Sequence, residues 1–230
     1  MMLTMYDLAG ANDDHRFSPY CWRIRMACAH KGLPLDTVAW RFTEKDKLPQ
    51  PNAGTVPVLV DGDTVVADSW KIACYLEERY LAKPIFGNEA ARGEALLIKY
   101  WTERTLHPLI TRMTVRDAWS GLHEKDQGYF RESREKRFGR PLEQVVADRE
   151  PTREAFRAAV EPLRAMLADQ PFVCGQSAAY GDYILFGMFQ WARCVSGFEL
   201  LEPTDPVHAW RQRLLDMYDG LGAKAIRHDA

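Results

Sequence analysis

Up to about residue 80 short β-rich apolar runs alternate with helical patterns, and after Pro84 apolar residues recur at helical spacing only. The opening run LTMYDL predicts a strand. PYCWRIRMACAHKG predicts a helix closed by Gly32, and LDTVAWRF a second strand. VPVLVDGDTVVAD is a pair of β-branched runs joined at Asp61-Gly62, a dipeptide that tolerates the positive φ angles of a type I′ hairpin turn. SWKIACYLEERY then reads as a helix and LAKPIFGN as a linker.

The order strand, helix, strand, hairpin, helix within the first 80 or so residues is that of a thioredoxin-like α/β domain. The expected division is therefore residues 1–81 as an α/β domain, 82–88 as a linker and 89–230 as an all-helical domain. In the second part EAARGEALLIKYWTERTLHPLITRM, TREAFRAAVEPLRAMLA, DYILFGMFQWARCV and PVHAWRQRLLDMYDGL all show helical spacing. Residues 123–150 are strongly polar and give no clear element.

Composition narrows the field. A chain of 230 residues, 47% hydrophobic and 27% charged, can bury a substantial core, and its formal charge of −2 gives no general attraction to nucleic acid or to an anionic membrane. The first eight residues lack a basic, apolar leader and no apolar run approaches the roughly 18 residues of a membrane span, so a cytoplasmic protein is expected. Five scattered cysteines without a Cys-x-x-Cys pair argue against a disulfide framework and a zinc site, and the six histidines lack metal-ligand spacing, so no metal is expected. The basic run RESREKRFGR is interleaved with Glu132 and Glu135, which favours a solvated helix face.

The chemistry centres on SPYC, residues 18–21. Ser18 followed by Pro19 at the start of an apolar-periodic segment reads as an N-cap and N1 pair, which alone accounts for both residues. At N3, where a capping box would place Glu or Gln, stands Cys21, so no carboxylate neutralises the positive end of the helix. Such a terminus, with Arg23 and Arg25 one turn further in, also suits an anion such as a thiolate. In GTVPVLV, Val56 before Pro57 must be extended. An ordinary strand-entry proline explains it, and a cis bond that turns Val56 outward to pair with an extended peptide is the alternative. Asp68-Ser69 opens the next helix as a cap, or else holds the ammonium and carboxylate of an amino acid head group.

Taken in this order, Ser18, Thr55-Val56-Pro57 and Asp68-Ser69 ahead of an all-helical domain resemble the cytosolic glutathione transferases over nearly the whole chain. Within them the likeness runs to the bacterial glutathione-dependent β-etherases and their fungal relatives, through MYDLAG, SPYCWR, TVPVLVDGD, ADSWKIACYLEERY, SREKRFGRPLEQVVADRE and DPVHAWRQRLLDMYDGLG. The Trp-Arg-x-Arg run at residues 22–25 also resembles the zeta class of maleylacetoacetate isomerases, although Pro19 and Tyr20 depart from that class. The resemblance implies glutathione as co-substrate, bound by Thr55, Val56, Pro57, Asp68 and Ser69, and Ser18 as the catalytic donor to its thiolate. It further implies a small hydrophobic, aromatic electrophile, cleavage of β-aryl ethers, a homodimer, and neither nucleic acid nor membrane as partner.

A cysteine at position 18 would form mixed disulfides, whereas a serine hydroxyl can only donate a hydrogen bond to another molecule's thiolate, so conjugation or displacement replaces redox exchange. Tyr6 and Tyr20 are lesser candidates for that donor, and Cys21 reads as a core residue. Arg41, Lys45 and Lys47 are the candidates for the glycyl carboxylate. The tryptophans at 101, 119, 191 and 210 lie in helical stripes and read as core, with one or two available to an aromatic pocket. A protein that uses this fold only as a scaffold is the rival reading. One departure from the family is Ala179, where Ser, Thr or Asn usually caps the helix that contains Asp182.

Overall fold

The computed structural model describes residues 2–52 and 54–228. Its first part is a four-stranded mixed sheet in the order β2-β1-β3-β4, formed by β1 (Leu3–Leu8), β2 (Leu35–Trp40), β3 (Val58–Asp61) and β4 (Thr64–Ala67). β1 and β2 are parallel and are joined by helix α1 (Pro19–Lys31); β3 and β4 form an antiparallel hairpin. This is the thioredoxin-like arrangement, completed by α2 (Ser69–Arg79). α1 stops where expected: Gly32 takes a left-handed φ of 70° and its N–H returns to the Ala29 carbonyl at 3.0 Å. The hairpin turn differs in type from the expectation. Of its two central residues only Gly62 has a positive φ, as in a type II′ turn, because Asp61 closes the strand and Asp63 follows the glycine.

The second part is helical throughout, as expected: α3 (Glu89–Trp101), α4 (His107–Ser120), α5 (Glu124–Phe138), α6 (Leu142–Val145), α7 (Arg149–Ala159), α8 (Glu161–Asp169), α9 (Tyr180–Val195) and α10 (Pro206–Gly220). Residues 102–106 between α3 and α4 form a π-helical turn, and α10 departs from helical geometry at Met217, Tyr218 and Asp219. The polar stretch without a sequence assignment is α5 and α6; its charges lie on a helix whose narrow apolar face holds the buried Phe130. TREAFRAAVEPLRAMLA is two helices, interrupted at Val160 just before Pro162.

α9 is the central helix. Every one of its residues except Arg193 is buried, the pattern of a helix packed on all sides. It crosses α1 so closely that a Cβ built on Gly187 would lie 2.2 Å from the Pro19 carbonyl oxygen. Glycine is required there because the two backbones meet, and this contact sets the position of the start of α1. The two parts are further tied by Tyr180, whose hydroxyl donates to the Ser69 carbonyl at 2.9 Å; within the first part the buried Lys31 fastens α1 to α2, its Nζ 2.8 Å from Glu77 and 2.8 Å from the Tyr80 carbonyl. No helix among the described residues is long and apolar enough to cross a membrane.

Candidate active site

A cleft of about 410 Å³ opens between the sheet domain and the helices, and the start of α1 forms its floor. Ser18, Pro19, Tyr20, Gly54, Thr55 and Val56 line one side. The opposite side is Trp40 and Phe42 from the end of β2 and beyond it, His107 from α4, Tyr129, Phe130, Arg134 and Arg137 from α5, and Trp191 from α9.

Ser18 caps α1. Its Oγ accepts the Cys21 N–H at 3.2 Å, and Pro19 follows at N1. The capping and donor readings coexist on one atom, because a hydroxyl that accepts through its oxygen still has its proton to donate. Ser18 is 2% exposed, so that proton has only the cleft and the surrounding protein to reach. Cys21 is fully buried, and burial together with Asp7 pushes its thiol well above its usual range, which removes it as a nucleophile. Tyr6 is half-buried on β1 and does not line the cleft.

Tyr20 does line it, with the Arg23 guanidinium 4.6 Å from its ring centre and its hydroxyl 3.4 Å from His107 Nδ1. Burial raises the Tyr20 phenol and lowers His107 to about 4, the latter assisted by Arg137 and Arg23. Both groups are therefore neutral at neutral pH and serve as hydrogen-bonding groups rather than charges. Arg23 itself is buried against Glu103 at 2.7 Å, and Lys99 reaches the same carboxylate at 3.0 Å.

The Val56–Pro57 peptide is cis. Pro57 is buried, and its carbonyl accepts the Asp68 N–H at 3.3 Å, while Val56 is half-buried, Thr55 is exposed, and both line the cleft. Among the described residues the Val56 N–H and C=O take no protein hydrogen-bond partner. Asp68 sits at a φ of 85° and caps α2, its Oδ1 accepting from Trp70 N–H at 3.0 Å and Lys71 N–H at 3.1 Å. Ser69 is buried at N1. Neither Asp68 nor Ser69 lines the cleft, so the structure brings Ser18, Thr55 and Val56 together and leaves the Asp68-Ser69 pair beyond its edge.

Of the three basic candidates for a carboxylate, only Lys45 lines the cleft, its side chain 3.5 Å from where a Gly54 Cβ would stand. Arg41 is held by Asp13 at 2.5 Å and Lys47 by Glu44 at 2.7 Å.

Sequence reasoning missed most of the helical wall. The basic run taken for a solvated face instead delivers Arg134 and Arg137 to the cleft, because α5 is latched onto the loop after β2. The buried Asp126 carboxylate accepts from Phe42 N–H at 2.9 Å, Thr43 N–H at 3.1 Å and the Thr43 hydroxyl at 2.7 Å, and Lys125 meets Glu44 at 2.6 Å. A carboxylate three residues from an N-cap carries no sequence mark of such a remote partner; only His107-Pro108, at a helix start, hinted at a placed histidine. Of the four tryptophans in the helical stripes, Trp191 reaches the pocket, with His107 packed 5.0 Å from its ring, whereas Trp210 is core.

Two family models match the chain: the glutathione S-transferase N-terminal domain over residues 17–79 and the glutathione S-transferase C-terminal domain over residues 95–215. The chain is 26% identical over 205 residues to the glutathione S-transferase-like protein ustS of Aspergillus flavus, covering 74% of this chain and 72% of that protein. It is 40% identical over 70 residues to a glutathione S-transferase zeta class protein of Euphorbia esula, a match that covers 28% of this chain and only 31% of that relative's length. The fold is similar to glutathione transferase GSTFuA3 from Phanerochaete chrysosporium, with a TM-score of 0.77, 23% identity, and coverage of 98% of this chain and 95% of that one. It is also similar to a glutathione S-transferase of Ceriporiopsis subvermispora solved in complex with glutathione, with a TM-score of 0.80, 21% identity, and coverage of 95% and 97%.

Proposed function

The chain belongs to the glutathione S-transferase family, and we propose that it binds glutathione, activates its thiol at Ser18 and delivers the thiolate to an aromatic electrophile in the cleft. The tripeptide lies extended beside Val56, whose backbone N–H and C=O pair with its cysteinyl unit. Its γ-glutamyl end reaches Asp68 and Ser69, and its glycyl carboxylate meets Lys45. This places the sulfur at the start of α1, where the Ser18 hydroxyl and the positive helix end both favour the anion. The observation that carries the reading is the Ser18 oxygen, which accepts from Cys21 N–H and so keeps its proton for the cleft.

A free thiol with a pKa near ~8.5 is mostly protonated at neutral pH, and a fall of ~2 units, about 2.7 kcal/mol, makes it mostly thiolate. A charge-assisted hydrogen bond and a helix terminus together supply that amount. For a β-aryloxy ketone the thiolate sulfur attacks the carbon that bears the aryloxy group. The C–S bond forms, the C–O bond breaks with its electron pair leaving on oxygen, and a phenolate departs to take a proton from water. The aromatic wall of Phe42, Tyr129, Phe130 and Trp191 suits the aryl group. A zeta-type isomerase is the second reading, favoured by the 40% identity over 70 residues to the zeta class protein. The family resemblance implies a homodimer, and Leu97 and Tyr100 on α3, exposed at 72% and 48%, are apolar surface for a second copy to cover. Five free cysteines suit the cytoplasm.

The test is the ultraviolet absorbance of bound glutathione thiolate against pH, in wild type and Ser18→Ala. The wild type lowers the bound-thiol pKa by a unit or more, about 1.4 kcal/mol, and the variant restores it. A depressed pKa that survives Ser18→Ala overturns the role of Ser18. Absence of glutathione binding leaves the scaffold reading.

A further inference from the structure

On that reading of the cleft, we propose that the aromatic acceptor carries a carboxylate, and that Arg134 and Arg137 are the residues that select it. The side chains that line the cleft include three cations, Lys45, Arg134 and Arg137, and no aspartate or glutamate. A ligand cavity with that balance attracts negative charge. Lys45 lies on the Gly54 side, against the segment assigned to glutathione, and its charge is matched by the glycyl carboxylate. The two arginines lie on α5, on the wall opposite the segment assigned to glutathione.

Their neighbours on the same helix make the contrast. Arg131, one turn away, is paired with Glu135 at 2.9 Å and with Glu143 at 2.7 Å. Among the described residues Arg134 and Arg137 form no ion pair, and the side-chain hydrogen bond of Arg134 is to the Ser133 hydroxyl at 2.9 Å. Burial and the proximity of Arg137 both lower Arg134, so the cleft holds a half-buried cation beside a like charge without a counter-ion.

The orientation of Arg134 suits a planar anion. Its guanidinium carbon lies 4.4 Å from the Phe130 ring centre and 5.4 Å from that of Phe42, and those two ring centres are 5.6 Å apart, so one side of the group rests on aromatic carbon. A guanidinium packed against aromatic rings keeps its N–H donors, and the fork of those donors matches a carboxylate with two parallel hydrogen bonds. Arg137, one turn further along α5, lines the same cleft as Tyr20 and His107. An aryl ring packed on Phe42, Phe130 and Trp191 therefore has cationic groups at its rim, and a carboxylate on that ring completes the pairing. The same wall admits a neutral ring, but at the cost of leaving the half-buried Arg134 without a counter-ion.

The test uses three conjugates as stable ligands, S-benzylglutathione and the S-carboxybenzylglutathiones with the carboxylate at the 3- and at the 4-position, titrated by calorimetry alongside glutathione itself. The wild type binds one of the carboxylated conjugates ~10-fold or more tightly than the benzyl conjugate, as a charge-assisted pair in a half-buried site requires. In Arg134→Gln and Arg137→Gln, and most in the double variant, the ratio of the two affinities falls toward unity. That ratio within each protein is the readout, so a general loss of affinity does not imitate the result. Glutathione binding with equal affinities for all conjugates in the wild type, or a preference that survives the double variant, overturns this inference and leaves the proposed function standing. Failure to bind glutathione or any conjugate overturns both.

Discussion

The wall of the cleft that carries Ser18 and Val56 is built from main-chain groups and helix caps, each set by residues within a few positions of one another. The facing wall is built from side chains of α4, α5 and α9, with His107, Phe130, Arg134, Arg137 and Trp191 separated by up to 84 positions in the sequence. On the proposed function the first wall meets what every glutathione molecule has, a peptide backbone and a thiol, and the second meets what differs between acceptors. Side chains on a wall of this kind can be exchanged without altering any turn or cap, so the acceptor can change while the fold and the thiol site persist.

Three substitutions sharpen this contrast, in order of decreasing effect. Gly187→Ala attacks the thiol wall from behind, since the added methyl would overlap the Pro19 carbonyl and force α1 and α9 apart. The expected cost is about 3 kcal/mol, the upper range for overpacking a buried contact, together with a partial loss of thiolate stabilisation as the start of α1 moves. Denaturant unfolding gives the first and the thiolate titration the second; a wild-type midpoint would show that the helices accommodate the methyl and that the close crossing does not position Ser18.

Asp126→Ala attacks the acceptor wall alone. Its carboxylate accepts three hydrogen bonds from Phe42 and Thr43, but it also gives up a desolvation cost when removed, so the net loss is about 2 kcal/mol. Amide exchange should accelerate through residues 124–138 and stay unchanged in α1. Uniform acceleration in both helices, or none in either, would mean that the walls are not separable units.

Ala179→Ser touches neither wall. Asp182 already receives Ala179 N–H at 3.2 Å, and also Val173 N–H at 2.8 Å, Cys174 N–H at 3.1 Å and the Trp210 indole at 2.9 Å. The reciprocal half of the capping box is absent because alanine has no side-chain oxygen. Serine adds that bond, worth about 1 kcal/mol, and raises the melting temperature by about 2–4 °C for a chain of this size. An unchanged or lower value would show that the four donors on Asp182 already satisfy the helix start.

Much of the fold was legible because its signals are local. Pro19 at N1, Gly32 at the helix end and the Asp61-Gly62 turn are each read within a few residues, and the structure has an element boundary at each. The hairpin was legible but its turn type was not, since I′ and II′ share a positive φ at the first central residue and differ at the second. α5 was illegible for a different reason. Its apolar face is narrow, and the two groups that dock it, Asp126 and Lys125, look in sequence like any charged residues near a helix start. The basic run was misread on the same ground: whether an arginine faces water or a cleft depends on the neighbour that the helix packs against, and that neighbour, Phe42, is 92 positions away from Arg134.

What the sequence determined by itself is the set of conformations available to each short segment: the capped start of α1, the extended Val56 before Pro57, the capped start of α2, and helices from residue 89 onward. These follow from sterics and hydrogen bonds within a few residues, and physics at that range is written in the order of the amino acids. The tertiary structure alone decided which face of α5 meets the sheet domain, that Tyr20 meets His107, that Val56–Pro57 is cis, and that Arg134 and Arg137 share a cleft with Ser18. Those outcomes depend on burial, and burial is a property of what a surface packs against, which no short segment contains.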